Sequence, residues 1–527
     1  MAISPIWPAA SAINERGEVT FHGRSAASLL DEFGSPLYLI DTDEVDERAH
    51  HFVHAAADAF ANSTTHVSFA GKAFLSKEIV RIVTAAGMLV DTCTMGEMRI
   101  ALAAGAPGRR LVLHGNNKSD DEIALAIERG FAKIVIDSPD EPARVAAIAH
   151  RLGKRARVML RVTAGIHAGG HEYVSTAHED QKFGVPLMPA GAKADVLEVL
   201  DRLDGVTPAG SNARVAKRID DAASGVETTD STLGHRAERS LQYNVKYPYD
   251  LSHEEVSSAD RALAAAMETV ADGPALAVLK DIASHAEDLE LVGVHSHIGS
   301  NIHDADAFIQ AAKRMMLLRK TFYATDAITL PEVDLGGGYS VAYTDGEDSM
   351  DIDVELKRLA DAVHRVNRAL GMPEPAISFE PGRWIVAPAG VTLYRVGTVK
   401  PVHLSDGTVR TYVSVDGGMS DNIRPALYGA DYTAVLANRP GAVETVLARV
   451  CGMHCESGDI VVRNVRLPAD IRRGDVLAVP VTGAYGRTMA SNYNQALIPA
   501  VAAVCESGAH LLMRRQTIDD LLSLDMG

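Results

Sequence analysis

The chain has 527 residues, too long for one ordinary small domain and suited to a large barrel with a second domain. With 47% hydrophobic and 23% charged residues it has the composition of a soluble globular protein, and a formal net charge of −18 argues against a general nucleic-acid binder. No stretch approaches the ~20 apolar residues of a membrane span. The opening Met-Ala-Ile-Ser-Pro-Ile-Trp-Pro lacks a basic region followed by an apolar run. The cysteines Cys93, Cys451, Cys455 and Cys505 are too few for a disulfide framework, so a reduced, cytoplasmic protein is expected.

The first ~45 residues hold a strand-like Pro36-Leu-Tyr-Leu-Ile40 that fits either domain. Apolar, β-rich runs then recur at His66–Ala70, Met88–Asp91, Arg110–His114, Lys133–Asp137, Arg157–Val162, Leu291–His295, Glu332–Leu335 and Ala376–Glu380. Segments between them, such as Ser76–Ala86, Gly96–Ala104 and Asp120–Arg129, carry apolar residues at helical spacing. Alternation of this kind predicts an α/β fold built on a (β/α)₈ barrel over 46–386. An insertion around 205–255, polar and low in periodicity from Ala209 to His253, interrupts it. After Trp384 the extended runs Val391–Lys400, Arg410–Val415, Glu444–Val450, Asp459–Val465 and Val476–Val481 predict a β-rich domain formed by 387–527 together with 1–45.

The least ordinary short motifs fall at predicted strand ends, where a barrel carries its chemistry. Lys72 follows Gly71 at the first of them. It reads either as a surface lysine or as an amine whose pKa falls on losing hydration, making it a nucleophile toward a carbonyl. Gly336-Gly337-Gly338 reads as a tight turn or as a cradle of N–H groups for a phosphate. His297-Ile-Gly-Ser300-Asn301 offers a second such loop, with His297 equally an ordinary rim histidine. Glu380-Pro-Gly382-Arg383 reads as a plain ion pair, or as a carboxylate that holds a ring nitrogen protonated beside a fork donor for phosphate or carboxylate. In the β-rich part, Cys455-Glu456 precedes a strand, Arg424 and Tyr428 share one loop, and Tyr485 lies on another. Cys455 also fits a small buried hydrophobe, and the two tyrosines fit ordinary turns.

Taken in order, these motifs resemble the alanine-racemase-like (fold type III) pyridoxal-phosphate enzymes, and among them most closely the diaminopimelate decarboxylases. Phe69-Ala-Gly-Lys72-Ala, His114-Gly-Asn-Asn-Lys-Ser119, Ser175-Thr-Ala-His-Glu-Asp-Gln-Lys-Phe-Gly184 and Val294-His-Ser-His-Ile-Gly-Ser300 carry the likeness. Asp334-Leu-Gly-Gly-Gly338, Glu380-Pro-Gly-Arg383, Cys455-Glu-Ser-Gly-Asp459 and Gly483-Ala-Tyr485 continue it. The resemblance implies decarboxylation of meso-2,6-diaminopimelate to L-lysine, the last step of lysine biosynthesis, with pyridoxal 5'-phosphate as cofactor and no metal. It implies that Lys72 holds the cofactor and that Cys455, delivered from the other subunit of a homodimer, is the proton donor. His297, Ser300, Gly336, Gly337, Gly338, Glu380, Gly382, Arg383 and Tyr485 are implied around the cofactor. Arg383, Arg424, Tyr428, Glu456 and Tyr485 are implied around the substrate. Departures include the phenylalanine and glycine before Lys72, Tyr339-Ser-Val after the glycines, Arg487 beyond Tyr485, and the insertion. Three alternatives stay open: a related decarboxylase acting on ornithine, arginine or a polyamine-like substrate; a racemase of the same fold, which would need a second base on the opposite face rather than a lone thiol; and a non-catalytic pyridoxal-phosphate-binding regulator.

Overall fold

The computed structural model describes residues 3–166, 181–203 and 258–527. Eight parallel strands close into a barrel in the order Thr65–Ala70, Leu89–Thr92, Leu111–Leu113, Lys133–Ile136, Ala156–Thr163, Leu289–His295, Glu332–Asp334 and Ala376–Phe379. The last strand pairs with the first through Ile377–Thr65 and Phe379–Val67, and the fourth pairs with the fifth, so no edge is left open. All eight predicted barrel strands are present, with ends shifted by a residue or two.

Local chemistry sets where each helix begins. Ser76 accepts the amide of Ile79, and Thr94 accepts that of Glu97. Ser119 and Glu122 form a reciprocal capping box at the start of Asp120–Arg129, which ends on left-handed Gly130. These caps turn the chain from strand end into helix within a few residues, which leaves the strand ends facing one mouth. Among the described residues no single helix is long and apolar enough to cross a membrane. The polar stretch from Ala209 to His253 lies outside the described residues.

The second sheet runs Ile460–Pro468, Thr445–Cys451, Val409–Val415, Gly390–His403, Leu37–Asp41, Ala500–Cys505 and Gly508–Met513, with Val476–Pro480 also paired to Gly390–His403. Leu37–Asp41 therefore sits in this sheet, antiparallel to Gly390–His403 and parallel to Ala500–Cys505. The question its sequence left open is answered by pairing.

One buried group has no compensation. Lys320, on the long helix Asp306–Asp326, is 1% exposed, and its amine has no hydrogen-bond partner among the described residues. Burial pushes its pKa down to about 7. The folded value thus lies below the unfolded one, so the unfolded chain binds the extra proton between about pH 7 and the ordinary lysine value near 10.5. The destabilisation is complete below pH 7 and fades as pH rises through that window. Replacing Lys320 by Met is expected to raise Tm at pH 7, the gain being a few kcal/mol at about 1.4 kcal/mol per unit of displacement. Melting curves from pH 6 to 10 should show the gain shrinking with pH; a constant gain would mean that the charge is not its source.

Candidate active site

The strand ends and the second sheet enclose an open cavity of about 720 Å³. Its lining includes Lys72, His297, Ser300, Gly337, Gly338, Glu380, Gly382, Arg383, Arg424, Tyr428 and Tyr485. Residues separated by more than four hundred positions in sequence thus face one space.

Lys72 opens onto this cavity. The expectation of a lowered pKa is corrected here. Burial does push it down, but Tyr485, Cys93 and Glu380 push it up by more, and the amine ends above its ordinary value. At neutral pH Lys72 is a cation.

Glu380 follows the strand Ala376–Phe379 and is 9% exposed. Its Oε1 lies 3.2 Å from His114 Nε2 and 3.1 Å from His295 Nε2. Burial pushes the pKa of both histidines down, which keeps them neutral. Burial pushes Glu380 up, with His114 acting against it. Beneath them, burial raises Asp91 to about 8, helped by Asp334 and opposed by Lys133. Arg383 makes no ion pair with Glu380 among the described residues; it bonds Tyr343 Oη and, at 2.8 Å, Ser300 Oγ.

His297 Nδ1 accepts the Gly337 amide at 3.1 Å, so the ring proton sits on Nε2. Gly336 gives its amide to Asp334 Oδ1 at 3.0 Å and is not part of the cavity lining. Gly337 and Gly338 both line the cavity, with the Gly337 amide already given to His297. A side chain has no room at this turn: a Cβ on Gly337 would lie 2.3 Å from the Glu380 carbonyl oxygen, and one on Gly338 2.6 Å from that of Gly299.

At the other side, Arg424 opens the short helix Arg424–Tyr428 and is 7% exposed. Its Nη1 donates to Tyr432 Oη at 2.5 Å, and its guanidinium lies 4.5 Å from the Tyr343 ring centroid. Arg383 lies 4.8 Å from the Tyr485 ring. Tyr343 is opposed by burial, but Arg383 and Arg424 draw its pKa below the usual phenol value. Tyr343, Tyr432, His114 and His295 were not singled out as site residues from sequence. His114 and His295 sit inside quoted motifs at strand ends, which was a usable signal; the two tyrosines carried none.

Cys455 and Glu456 are not among the lining residues. Both are exposed, on the loop between Thr445–Cys451 and Ile460–Pro468, so the alternative of a small buried hydrophobe does not hold for Cys455. Most of the motif Ser175–Gly184 lies outside the described residues, although its Phe183 lines the cavity.

Residues 43–244 and 270–387 match the family described as pyridoxal-dependent decarboxylase, pyridoxal binding domain. Diaminopimelate decarboxylase of Mycobacterium tuberculosis is 38% identical over 525 residues, covering 99% of this chain and 98% of that protein. The Bacillus subtilis diaminopimelate decarboxylase is 32% identical over 513 residues, covering 97% and 96%. Among solved structures, the Helicobacter pylori diaminopimelate decarboxylase complexed with L-lysine superposes with a TM-score of 0.68 at 25% identity, covering 94% and 98%. The M. jannaschii diaminopimelate decarboxylase, with a TM-score of 0.73 at 24% identity over 99% and 98%, shares the fold.

Proposed function

This chain belongs to the diaminopimelate decarboxylases within the pyridoxal-dependent decarboxylases, and from that premise we propose that the cavity described above carries their reaction. The reaction is removal of CO₂ from meso-2,6-diaminopimelate to give L-lysine, with pyridoxal 5'-phosphate as cofactor. The observation that carries the reading is one cavity uniting a primary amine, a buried carboxylate and two guanidinium groups.

The residues present fit the cofactor. Lys72 would hold its aldehyde, His297 would lie against its ring and Glu380 would meet its ring nitrogen. Ser300, Gly338, Gly382 and the still-unbonded Nε of Arg383 suit the phosphate end. When bound, pyridoxal phosphate supplies a cationic ring that accepts the electron pair left by departing CO₂.

The chain's own groups do the rest. Lys72 begins as a cation and must shed its proton before it acts as a base or nucleophile. Glu380, whose carboxyl burial pushes up in pKa, lies with its Oε1 3.2 and 3.1 Å from the two histidines and would meet a ring proton there. Arg424, fixed by Tyr432 and Tyr343, is aimed to clamp a substrate carboxylate, and Tyr428 and Tyr485 close the sides of the space. A proton must then reach the α-carbon, and Cys455 is the donor we assign. Because Cys455 and Glu456 lie outside this cavity, a second copy of the chain would bring them, Glu456 meeting the distal amino group. The four free thiols suit the reducing cytoplasm in which we place the enzyme.

Arg424→Ala tests the substrate assignment. Losing a charged hydrogen-bond donor costs about 1.5–3 kcal/mol, so kcat/KM for meso-diaminopimelate is expected to fall roughly 10- to 100-fold. An unchanged kcat/KM would rule out a carboxylate at Arg424.

A further inference from the structure

Two segments, one lining this chain's cavity and one lying outside it, are built here as one piece. Residues 416–424 end in Arg424, inside this chain's cavity; residues 452–459 carry Cys455 and Glu456, outside it. Asp459, 2% exposed, joins them: its Oδ1 accepts the Met419 amide at 2.6 Å and its Oδ2 the His454 amide at 2.8 Å. Met453 donates its amide to the Gly417 carbonyl at 3.0 Å. The carboxylate is gripped so closely that a Cβ on Gly418 or Gly452 would come within 2.5 or 2.2 Å of it.

The His454 ring, buried directly before the exposed Cys455, completes the junction. Its Nδ1 lies 3.1 Å from Asn494 Oδ1, an acceptor, so the proton sits on Nδ1. Its Nε2 then accepts the Ser420 hydroxyl at 2.8 Å, and Ser420 belongs to the Arg424 segment. Both ring nitrogens are spent on orientation. Nothing in the cavity uses His454.

We propose that His454 is a positioning residue that locks the Cys455 loop onto the Arg424 segment, so that holding substrate in one cavity also sets the thiol offered to the neighbouring copy's cavity. This rests on the reading above that Cys455 serves a second copy. The two sites of a dimer are then linked through a polar junction of a few bonds, without any large movement.

The test compares the intact holoenzyme with His454→Phe, which keeps ring bulk and loses both bonds, and His454→Gln, which retains a donor and an acceptor. For His454→Phe, kcat with meso-diaminopimelate is expected to fall roughly 10- to 100-fold, as small misplacements of a reacting group do, while KM stays near its original value. Backbone amide exchange of 452–459 should be faster in His454→Phe than in the unaltered protein, and L-lysine should slow it only in the latter. His454→Gln should recover most of both properties. If His454→Phe does not fold, Ser420→Ala carries the same expectations. An unchanged kcat, or equal protection of 452–459 by L-lysine with and without the His454 bonds, overturns the proposal. Absence of turnover by the unaltered protein would contradict the functional reading instead, and the ligand-free exchange rates would still decide the junction.

Discussion

Lys72→Ala is expected to abolish turnover, by roughly 10⁴-fold or more, because in the proposed assignment this one amine both holds the cofactor and passes it to substrate. The substitution keeps the Cβ and removes a side chain that opens onto the cavity, so the packing around Gly71 and Ala73 is untouched. Folding and Tm should stay close to those of the parent. The cofactor's visible absorbance should be lost on gel filtration, because His297, Ser300 and Glu380 alone form no covalent hold. Retention of that absorbance together with turnover within tenfold would show that another amine does the work. Lys133 is not a candidate, being buried against Glu332 and Asp334 beneath the cavity.

Cys455→Ala is expected to lower kcat by roughly 10²–10³-fold, the usual worth of one placed general acid, with little change in KM. The thiol is exposed, so its removal should leave folding and Tm near those of the parent. If a second copy supplies it, Lys72→Ala and Cys455→Ala damage different halves of each site. Mixing the two inactive proteins in equal amounts should then restore roughly a quarter of the parent activity, since half the dimers are mixed and each has one intact site. Recovery near zero, with exchange of subunits verified by mass, would place lysine and thiol in the same chain's site.

The barrel was legible because each strand and helix is signalled locally. The run Val67–Ala70 is apolar and β-rich, and Ser119 with Glu122 announces its helix. Lys72, Glu380 and the glycines were legible for the same reason: odd residues at strand ends stand out against a regular background. What sequence could not show is which side chains converge. Tyr343 stacks on Arg424 and bonds Arg383 from a loop with no motif of its own. The rise in the Lys72 pKa has the same origin. Desolvation can be guessed from one stretch, but the opposing fields come from Cys93, Glu380 and Tyr485, on three other parts of the chain. Leu37–Asp41 likewise found its sheet only through pairing partners more than three hundred residues away.

The most direct test is product analysis after incubating the protein and pyridoxal phosphate separately with meso-diaminopimelate, ornithine and arginine. L-Lysine and CO₂ should appear in equal amounts from meso-diaminopimelate, with little CO₂ from the other two. Faster release of CO₂ from ornithine or arginine, or cofactor binding with no lysine formed, would contradict the assignment.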